Sequence, residues 1–163
     1  MLLLVLAFTG IIGTQGAPST QNVAQFGSMI SCATGKGYLE ATLAYNGYGC
    51  YCGLGGEGTP LDDTDQCCFY HDNCYTVLQS ESNSKCPNSF NVYVTMYHYQ
   101  TSSCGNEQAS IVCTPSEDYP LGFTEPECAE AICKCDRAAA MCFAATMGSY
   151  DNSYRNWPRS NCV

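Results

Sequence analysis

The residues best suited to chemistry lie together at positions 67–74, which read Cys-Cys-Phe-Tyr-His-Asp-Asn-Cys. A helical pattern begins here, because one helix face is occupied at i, i+4, i+7, i+8 and i+11 by Cys67, His71, Cys74, Tyr75 and Leu78. The side chain of Asp72 lies about 100° further round the helix. An imidazole transfers protons near neutral pH and a carboxylate binds cations. The alternative is a disulfide-stapled helix with a surface His-Asp pair.

Fourteen of the 163 residues are cysteines. This even and unusually high number indicates a disulfide framework formed in an oxidising compartment. The spacing argues against a zinc-thiolate site, because no Cys and His pairs recur at zinc-finger separation and the only histidines are His71 and His98. The number of cysteines alone leaves their pairing open.

The formal charge of −9, with six basic residues, limits the partners of the chain. A nucleic-acid partner is disfavoured because the positive charge that neutralises phosphates is missing. Strong attraction to an anionic membrane is disfavoured for the same reason. The excess of carboxylates is compatible with a divalent cation, although solubility also explains it.

The beginning of the chain has the features of a secretory leader. Leu2–Ile12 is an apolar run of the length of a signal-peptide core and is too short to span a bilayer. Small residues at Thr14 and Gly16 suit cleavage before Ala17. We therefore expect a signal peptide at 1–16, a candidate pro-segment at 17–21 and one folded domain at 22–163.

Hydrophobic periodicity and capping residues predict a mainly helical, disulfide-rich fold. The long helices are each preceded by a capping residue, Asp62 or Asp63 for the first and Thr124 for the second. A polar surface loop is expected at 80–91. The predicted elements are a short helix at 22–32, a helical turn at 38–45, a long helix ending near Gln79, a strand at 92–100, its hairpin partner at 107–113, a long helix at 125–143 and an irregular tail at 148–163.

A glycine-rich loop precedes the first long helix. Residues 48–58 contain five glycines in eleven positions, which lets the backbone turn sharply and present its carbonyl and N–H groups to a ligand. A flexible turn is the alternative. Because Cys50 and Cys52 tie the loop down, we expect it to be held in place.

The cysteine spacing predicts how the long helices pair. Each helix carries two cysteines seven residues apart, Cys67 and Cys74 on the first and Cys135 and Cys142 on the second. Antiparallel helices joined at two points two turns apart pair 67 with 142 and 74 with 135. His71 then faces Asp136, and a carboxylate near its Nδ1 fixes the imidazole tautomer and stabilises the protonated form.

Three stretches resemble the motifs of the secreted phospholipase A2 family. Residues 67–74 resemble its active-site signature, residues 132–142 its second signature, and residues 51–58 its calcium loop. The resemblance covers Asn22 to Cys162 and includes counterparts for all fourteen cysteines. The chain is most similar to group I, the pancreatic type, because it stops one residue after Cys162 and has a similar loop at 87–90.

This resemblance implies a phospholipase A2 fold and a complete set of disulfides. The fold consists of two long antiparallel helices stapled by disulfides, a short N-terminal helix, a calcium loop and a small β-hairpin. The implied bridges are Cys32–Cys104, Cys50–Cys162, Cys52–Cys68, Cys67–Cys142, Cys74–Cys135, Cys86–Cys128 and Cys113–Cys133.

The resemblance also implies calcium-dependent hydrolysis of the sn-2 ester of glycerophospholipids to fatty acid and lysophospholipid. His71 is then the general base that activates water, and Asp136 orients it with support from Tyr75 and Tyr97. The Gly53 N–H is an oxyanion donor. One calcium ion is expected per site, held by the carboxylate of Asp72 and by the backbone carbonyls of Tyr51, Gly53 and Gly55.

The expected partner is the surface of a phospholipid membrane or micelle, bound peripherally and reversibly outside the cell. An apolar contact ring is expected around the cleft, formed by Val23, Leu39, Leu54 and Tyr93. The competing hypothesis is a non-catalytic binding protein or toxin on the same scaffold, which acts on a protein receptor or channel. Because His71, Asp72, Gly53 and Asp136 are all present, the enzyme is favoured.

Overall fold

The computed structural model describes residues 21–80, 85–86 and 91–163. The expected signal peptide, most of the candidate pro-segment and the pancreatic-type loop at 87–90 lie outside these residues, as does much of the polar loop at 80–91. The elements in chain order are α1 Gln21–Thr34, α2 Tyr38–Tyr45, α3 Asp63–Gln79, α4 Asn91–Val94, β1 Tyr99–Ser102, β2 Ser110–Cys113 and α5 Pro126–Ala145. Three 3-10 turns occur at Ser116–Asp118, Asn152–Tyr154 and Arg159–Asn161.

The helix α3, which carries the His-Asp pair, begins where the sequence predicts. The Oδ1 atom of Asp62 accepts a hydrogen bond from the backbone N–H of Asp65 at 2.8 Å, and this bond satisfies a donor that the first turn leaves unpaired. The helix ends at Gln79, and Ser80 returns to extended backbone.

The start of α5 differs from the prediction. Thr124 does not cap this helix; Glu125 takes the N-cap position with a left-handed φ of 60° and without a side-chain capping bond. Pro126 is the first helical residue, where its fixed φ suits a helix and its missing N–H costs nothing. The helix therefore starts at the proline and does not need a side-chain cap to set its position.

The helix α5 is the centre of the core and packs against both α1 and α3. Its inner face consists of buried small and apolar residues, among them the fully buried Ile132 and Ala140, which allow close approach of the other helices. The bonds Cys67–Cys142 and Cys74–Cys135 staple α3 to α5 in antiparallel orientation. All fourteen cysteines are paired, in the seven bridges that the resemblance implies.

The predicted strand at 92–100 is wrong over most of its length. Residues 91–94 form the short helix α4, and β1 starts only at Tyr99, where it pairs antiparallel with β2. The buried amide of Asn22 donates hydrogen bonds to the carbonyls of Val92 at 2.9 Å and Thr95 at 3.1 Å, which ties this segment to α1. Tertiary contacts therefore override the β-propensity of its residues.

The hairpin is correspondingly shorter than expected, because the register from Tyr99–Cys113 to Ser102–Ser110 holds four residue pairs. The mainly helical, disulfide-rich fold with a small two-stranded sheet is as predicted. No helix in the part of the chain that the structure describes is long and apolar enough to cross a membrane.

Candidate active site

His71 and Asp136 meet between the two stapled helices. The Nε2 atom of His71 lies 2.7 Å from Oδ1 of Asp136. The carboxylate is fully buried, whereas the imidazole keeps part of its surface exposed. The staples lie one turn before and one turn after His71, at Cys67 and Cys74, so the helices cannot separate at this point.

The hydrogen bonds to Asp136 determine the tautomer of His71. The hydroxyl of Tyr75 donates to Oδ1 at 2.7 Å, and the hydroxyl of Tyr97 donates to Oδ2 at 2.5 Å. A carboxylate that receives donors on both oxygens is an acceptor, so the His71 Nε2 carries the proton and donates it. The expectation that the carboxylate lies at Nδ1 is therefore wrong, and Nδ1 is the nitrogen left to accept a proton.

Both tyrosines are held in the neutral, donating form. Burial raises the pKa of Tyr75 and Tyr97, and the nearby negative charge of Asp136 raises both further. A phenol that cannot ionise remains a donor to the carboxylate over the whole neutral range. The structure thus brings together four of the predicted residues in one hydrogen-bonded cluster.

The helix α1 contributes contacts that the sequence did not single out. The ring of Phe26 stacks on the His71 imidazole, with centroids 4.6 Å apart and planes 15° apart. The amide of Gln25 bonds Tyr97 twice, donating to its carbonyl at 2.6 Å and accepting from its N–H at 3.2 Å. Phe26 lies within the short helix predicted at 22–32, but no sequence signal pointed to its contact with the imidazole.

Asp72 follows His71 on α3, the helix that a disulfide joins to the glycine-rich loop. Burial raises the pKa of its carboxyl, although His71 and Arg159 oppose this rise electrostatically. The Cys52–Cys68 disulfide joins the loop to α3 one turn before Asp72. Within residues 21–80, 85–86 and 91–163, no ion pair reaches the Asp72 carboxylate.

The glycine-rich loop has a backbone that only glycine adopts readily. Gly53 and Gly55 have φ values of 135° and 71°. At Gly56 a Cβ atom would lie 2.1 Å from the ring of Tyr51, so this chain segment passes directly against the aromatic side chain. Backbone carbonyls and carboxylates are the hard-oxygen donors that calcium prefers.

A second buried carboxylate, which sequence analysis missed, anchors this loop. Asp65 is fully buried and accepts backbone hydrogen bonds from Cys50 at 2.8 Å, Tyr51 at 2.8 Å and Leu61 at 3.0 Å. Gly49 has no room for a side chain, because a Cβ atom there would lie 2.3 Å from the Asp65 carboxyl carbon. The position of Asp65, two residues before Cys67, gave no signal of this role.

Comparison with known proteins identifies the architecture. A family model described as phospholipase A2 matches residues 23–155. The chain belongs to the secreted phospholipase A2 family. Similar proteins are Phospholipase A2 AP-PLA2-II of Acanthaster planci, 41% identical over 160 residues that make up 98% of each chain, and Basic phospholipase A2 caudoxin of Bitis caudalis, 40% identical over 142 residues, or 87% of this chain and 95% of the relative.

The predicted fold class and enzyme class are thereby confirmed. The chain is a phospholipase A2, an enzyme that hydrolyses the sn-2 ester of glycerophospholipids to a fatty acid and a lysophospholipid. Proteins of this family act on phospholipids at interfaces.

The C-terminal segment of this phospholipase A2 braces the glycine-rich loop. Cys162 is bonded to Cys50, and at Gly58 a Cβ atom would lie 2.6 Å from the backbone nitrogen of Val163. Arg159 donates a hydrogen bond from Nη1 to the carbonyl of Cys50. Sequence analysis did not assign Arg159 to the loop.

The four residues expected to contact lipid are exposed. The exposed fraction is 53% for Val23, 68% for Leu39, 91% for Leu54 and 43% for Tyr93. The ring of Tyr93 also contacts the hydrogen-bonded cluster, because its centroid lies 5.7 Å from that of Tyr75. Exposure of such large apolar side chains is what an interfacial enzyme requires.

Proposed function

We propose that this phospholipase A2 activates its water through Nδ1 of His71. The cluster of His71, Asp136, Tyr75 and Tyr97 supports this proposal, because it fixes the proton on Nε2 and leaves Nδ1 basic. When Nδ1 takes a proton from water, the imidazolium that forms lies beside the buried carboxylate. Asp136 stabilises this charge and orients the ring without acting on the substrate.

The proposed calcium site consists of the Asp72 carboxylate and the carbonyls of Tyr51, Gly53 and Gly55. The part-buried carboxylate, the left-handed glycines and the hard-oxygen donors fit this ion. Bound calcium supplies a positive charge for the ester carbonyl and the lipid phosphate. The Gly53 N–H is proposed as an oxyanion donor.

The phospholipid surface is proposed to be contacted reversibly by four exposed apolar side chains, those of Val23, Leu39, Leu54 and Tyr93.

Extracellular action is supported by the seven disulfides, which persist in oxidising compartments. These bridges also accord with group I, the pancreatic type, since they match the implied pairs. Removal of residues 1–16, and of 17–21 as a pro-segment, stays a proposal.

The variant His71→Gln tests the assignment of the base. We expect calcium affinity to stay nearly unchanged while turnover of a monomeric short-chain phospholipid falls by a factor of at least about 100. The measurements are calcium titration by calorimetry and fatty-acid release. His98→Gln is the matched control, because His98 is exposed and its ring stacks on Tyr119. Near-normal hydrolysis by the His71 variant would show that water is activated elsewhere.

A further inference from the structure

A groove of about 420 Å³ lies between α2 and the C-terminal segment, and it contains none of the proposed catalytic or calcium-binding residues. We refer to it as the α2 groove. Its lining combines apolar residues of α2 with charged residues from both segments. The lining residues include Lys36, Leu39, Glu40, Leu43, Tyr150 and Arg155.

The apolar part of the α2 groove is a leucine pair one helical turn apart. Leu39 and Leu43 are 68% and 57% exposed, so no part of the described chain covers them. The hydroxyl of Tyr150 donates to the carbonyl of Ala44 at 2.9 Å, which fixes the C-terminal segment against α2. The groove is therefore preformed and can accept an acyl chain without rearrangement.

The charged part of the α2 groove contains both positive and negative side chains. The Nζ atom of Lys36 pairs with Oε1 of Glu40 at 3.0 Å. The Nη2 atom of Arg155 donates to the carbonyl of Leu43 at 3.2 Å, which holds the guanidinium at the groove. Its other N–H groups have no hydrogen-bond partner among the described residues. Two of the six basic residues of a chain with a net charge of −9 thus line one groove.

We propose that the α2 groove binds one zwitterionic phospholipid molecule outside the catalytic cleft. The phosphodiester lies between Arg155 and Lys36, the ammonium group of the headgroup faces Glu40, and an acyl chain covers Leu39 and Leu43. A guanidinium recognises phosphate by paired hydrogen bonds, and a carboxylate attracts a quaternary ammonium group. The inference rests on the proposed function, because the lipid reaches this groove from the surface on which the enzyme acts.

The test uses dodecylphosphocholine below its micelle concentration, a probe that has no carboxylic ester for a phospholipase A2 to hydrolyse. Dodecyl methyl phosphate is the comparison probe, since it keeps the phosphodiester and the alkyl chain but lacks the ammonium group. Binding is followed by residue-resolved NMR, with calcium and again with a chelator. We expect saturable shifts at Leu43, Tyr150 and Arg155, and tighter binding of dodecylphosphocholine than of the comparison probe.

Three variants separate the contributions. Arg155→Gln should weaken both probes about tenfold, because a charge-assisted hydrogen bond is lost. Glu40→Gln should weaken only dodecylphosphocholine, about threefold for an exposed charge. Leu43→Ser should weaken the binding of both probes, because it removes part of the apolar surface for the alkyl chain and leaves the charged residues unchanged. Arg137→Gln, an exposed arginine of α5, is the matched control and should change neither.

Shifts confined to His71 and Phe26 would overturn the proposal, since the probe would then occupy the catalytic cleft alone. Equal binding of both probes, or unchanged binding in a folded Arg155→Gln variant, would also overturn it. These outcomes leave the proposed function intact, because hydrolysis of monomeric substrate does not use the α2 groove. Failure of the proposed function would instead appear as normal turnover in the His71→Gln variant.

Discussion

Asp136 shows how one buried carboxylate is made tolerable and useful. A charge buried without partners costs several kcal/mol, yet Asp136 receives three donors, from His71, Tyr75 and Tyr97. Each hydrogen bond to a charged group contributes about 1.5 to 3 kcal/mol. The cluster therefore compensates for the burial of the charge and fixes the imidazole, so the proposed base needs no reorganisation in the reaction.

The tyrosines of this cluster predict a loss of stability in alkali. Their pKa values are raised above the usual 10.0, so the folded state keeps protons that the unfolded chain releases. Stability is full below pH 10 and falls as the pH rises beyond it. We expect the melting temperature to fall less steeply between pH 9 and 11 in Tyr97→Phe than in the native protein. Tyr70→Phe, at an exposed tyrosine, is the control, and parallel slopes for all three proteins would contradict the prediction.

Asp72 predicts a second dependence of stability on pH, this time in the acidic range. Burial raises its pKa above the usual 3.8, so its stabilising contribution is present below that pH and is lost as the pH rises through the raised value. At neutral pH the ionised carboxylate thus destabilises the calcium-free fold. Asp72→Asn should raise the melting temperature without calcium, by about 2 to 4 °C for each kcal/mol recovered, while abolishing calcium binding.

The decisive measurement is melting with and without calcium. A ligand present at about 100 times its dissociation constant stabilises the native protein by about 2.7 kcal/mol. We expect this increase in the native protein and in Glu57→Gln, where an exposed loop carboxylate outside the proposed ligand set is removed. An equal increase in Asp72→Asn would remove Asp72 from the ligand set.

At the scale of elements, the glycine-rich loop is fixed from two sides. Two disulfides join it to α3 and to the C-terminal segment, and Asp65 gathers three backbone N–H groups around one carboxylate. A loop with this much glycine would lose much entropy on binding an ion if it were free. Anchoring it in the folded protein removes most of that cost before the ion binds.

Asp65→Asn tests this anchoring. In the variant an NH2 group replaces one carboxylate oxygen and cannot accept a hydrogen bond from a backbone N–H. At least one buried N–H therefore loses its partner, at a cost of about 1 to 3 kcal/mol. We expect calcium affinity to fall about tenfold or more, with little change in the turnover of calcium-saturated enzyme. The control is Asp63→Asn, which changes an exposed carboxylate in the same helical turn. Calorimetric titration showing equal affinities for both variants would contradict the anchoring role.

Local signals predicted some elements well and failed at others for a physical reason. The bounds of α3 follow from the Asp62 cap and the periodicity of its apolar residues. The strand predicted at 92–100 failed because Asn22, seventy residues away in sequence, bonds the carbonyl of Val92. Such long-range contacts leave no trace in a window of neighbouring residues, and the same holds for Phe26 and Asp65.

At the scale of the molecule, the predicted pairing of the long helices followed from two equal cysteine spacings. The remaining bridges, the calcium loop and the tyrosine partners of Asp136 needed the resemblance to a family, because spacing alone left them open. The sequence did not predict which ring nitrogen faces Asp136, since either nitrogen of His71 satisfies the sequence pattern. The placement of Lys36 and Arg155 at one groove likewise became visible only in the fold.

The overall charge predicts which lipid surface this enzyme prefers. The chain carries fifteen acidic and six basic residues, and the helix α1 contains no Lys or Arg. A basic residue near an anionic surface contributes only about 1 kcal/mol, so adsorption rests mainly on the exposed Val23, Leu39, Leu54 and Tyr93. We expect binding to phosphatidylcholine vesicles that equals or exceeds binding to phosphatidylglycerol vesicles, with weak dependence on salt.

The measurement is vesicle partitioning of the His71→Gln variant, which is expected not to hydrolyse the vesicle lipid. Partitioning is measured with calcium present and over a series of salt concentrations. Leu54→Ser should weaken binding to both kinds of vesicle. Leu54 is 91% exposed, and the variant loses the favourable free energy of moving this leucine side chain from water into the lipid surface. Arg137→Gln should leave both unchanged. A strong preference for phosphatidylglycerol that disappears with added salt would show that Lys36, Arg155 and Arg159 act as a local basic patch and outweigh the net charge.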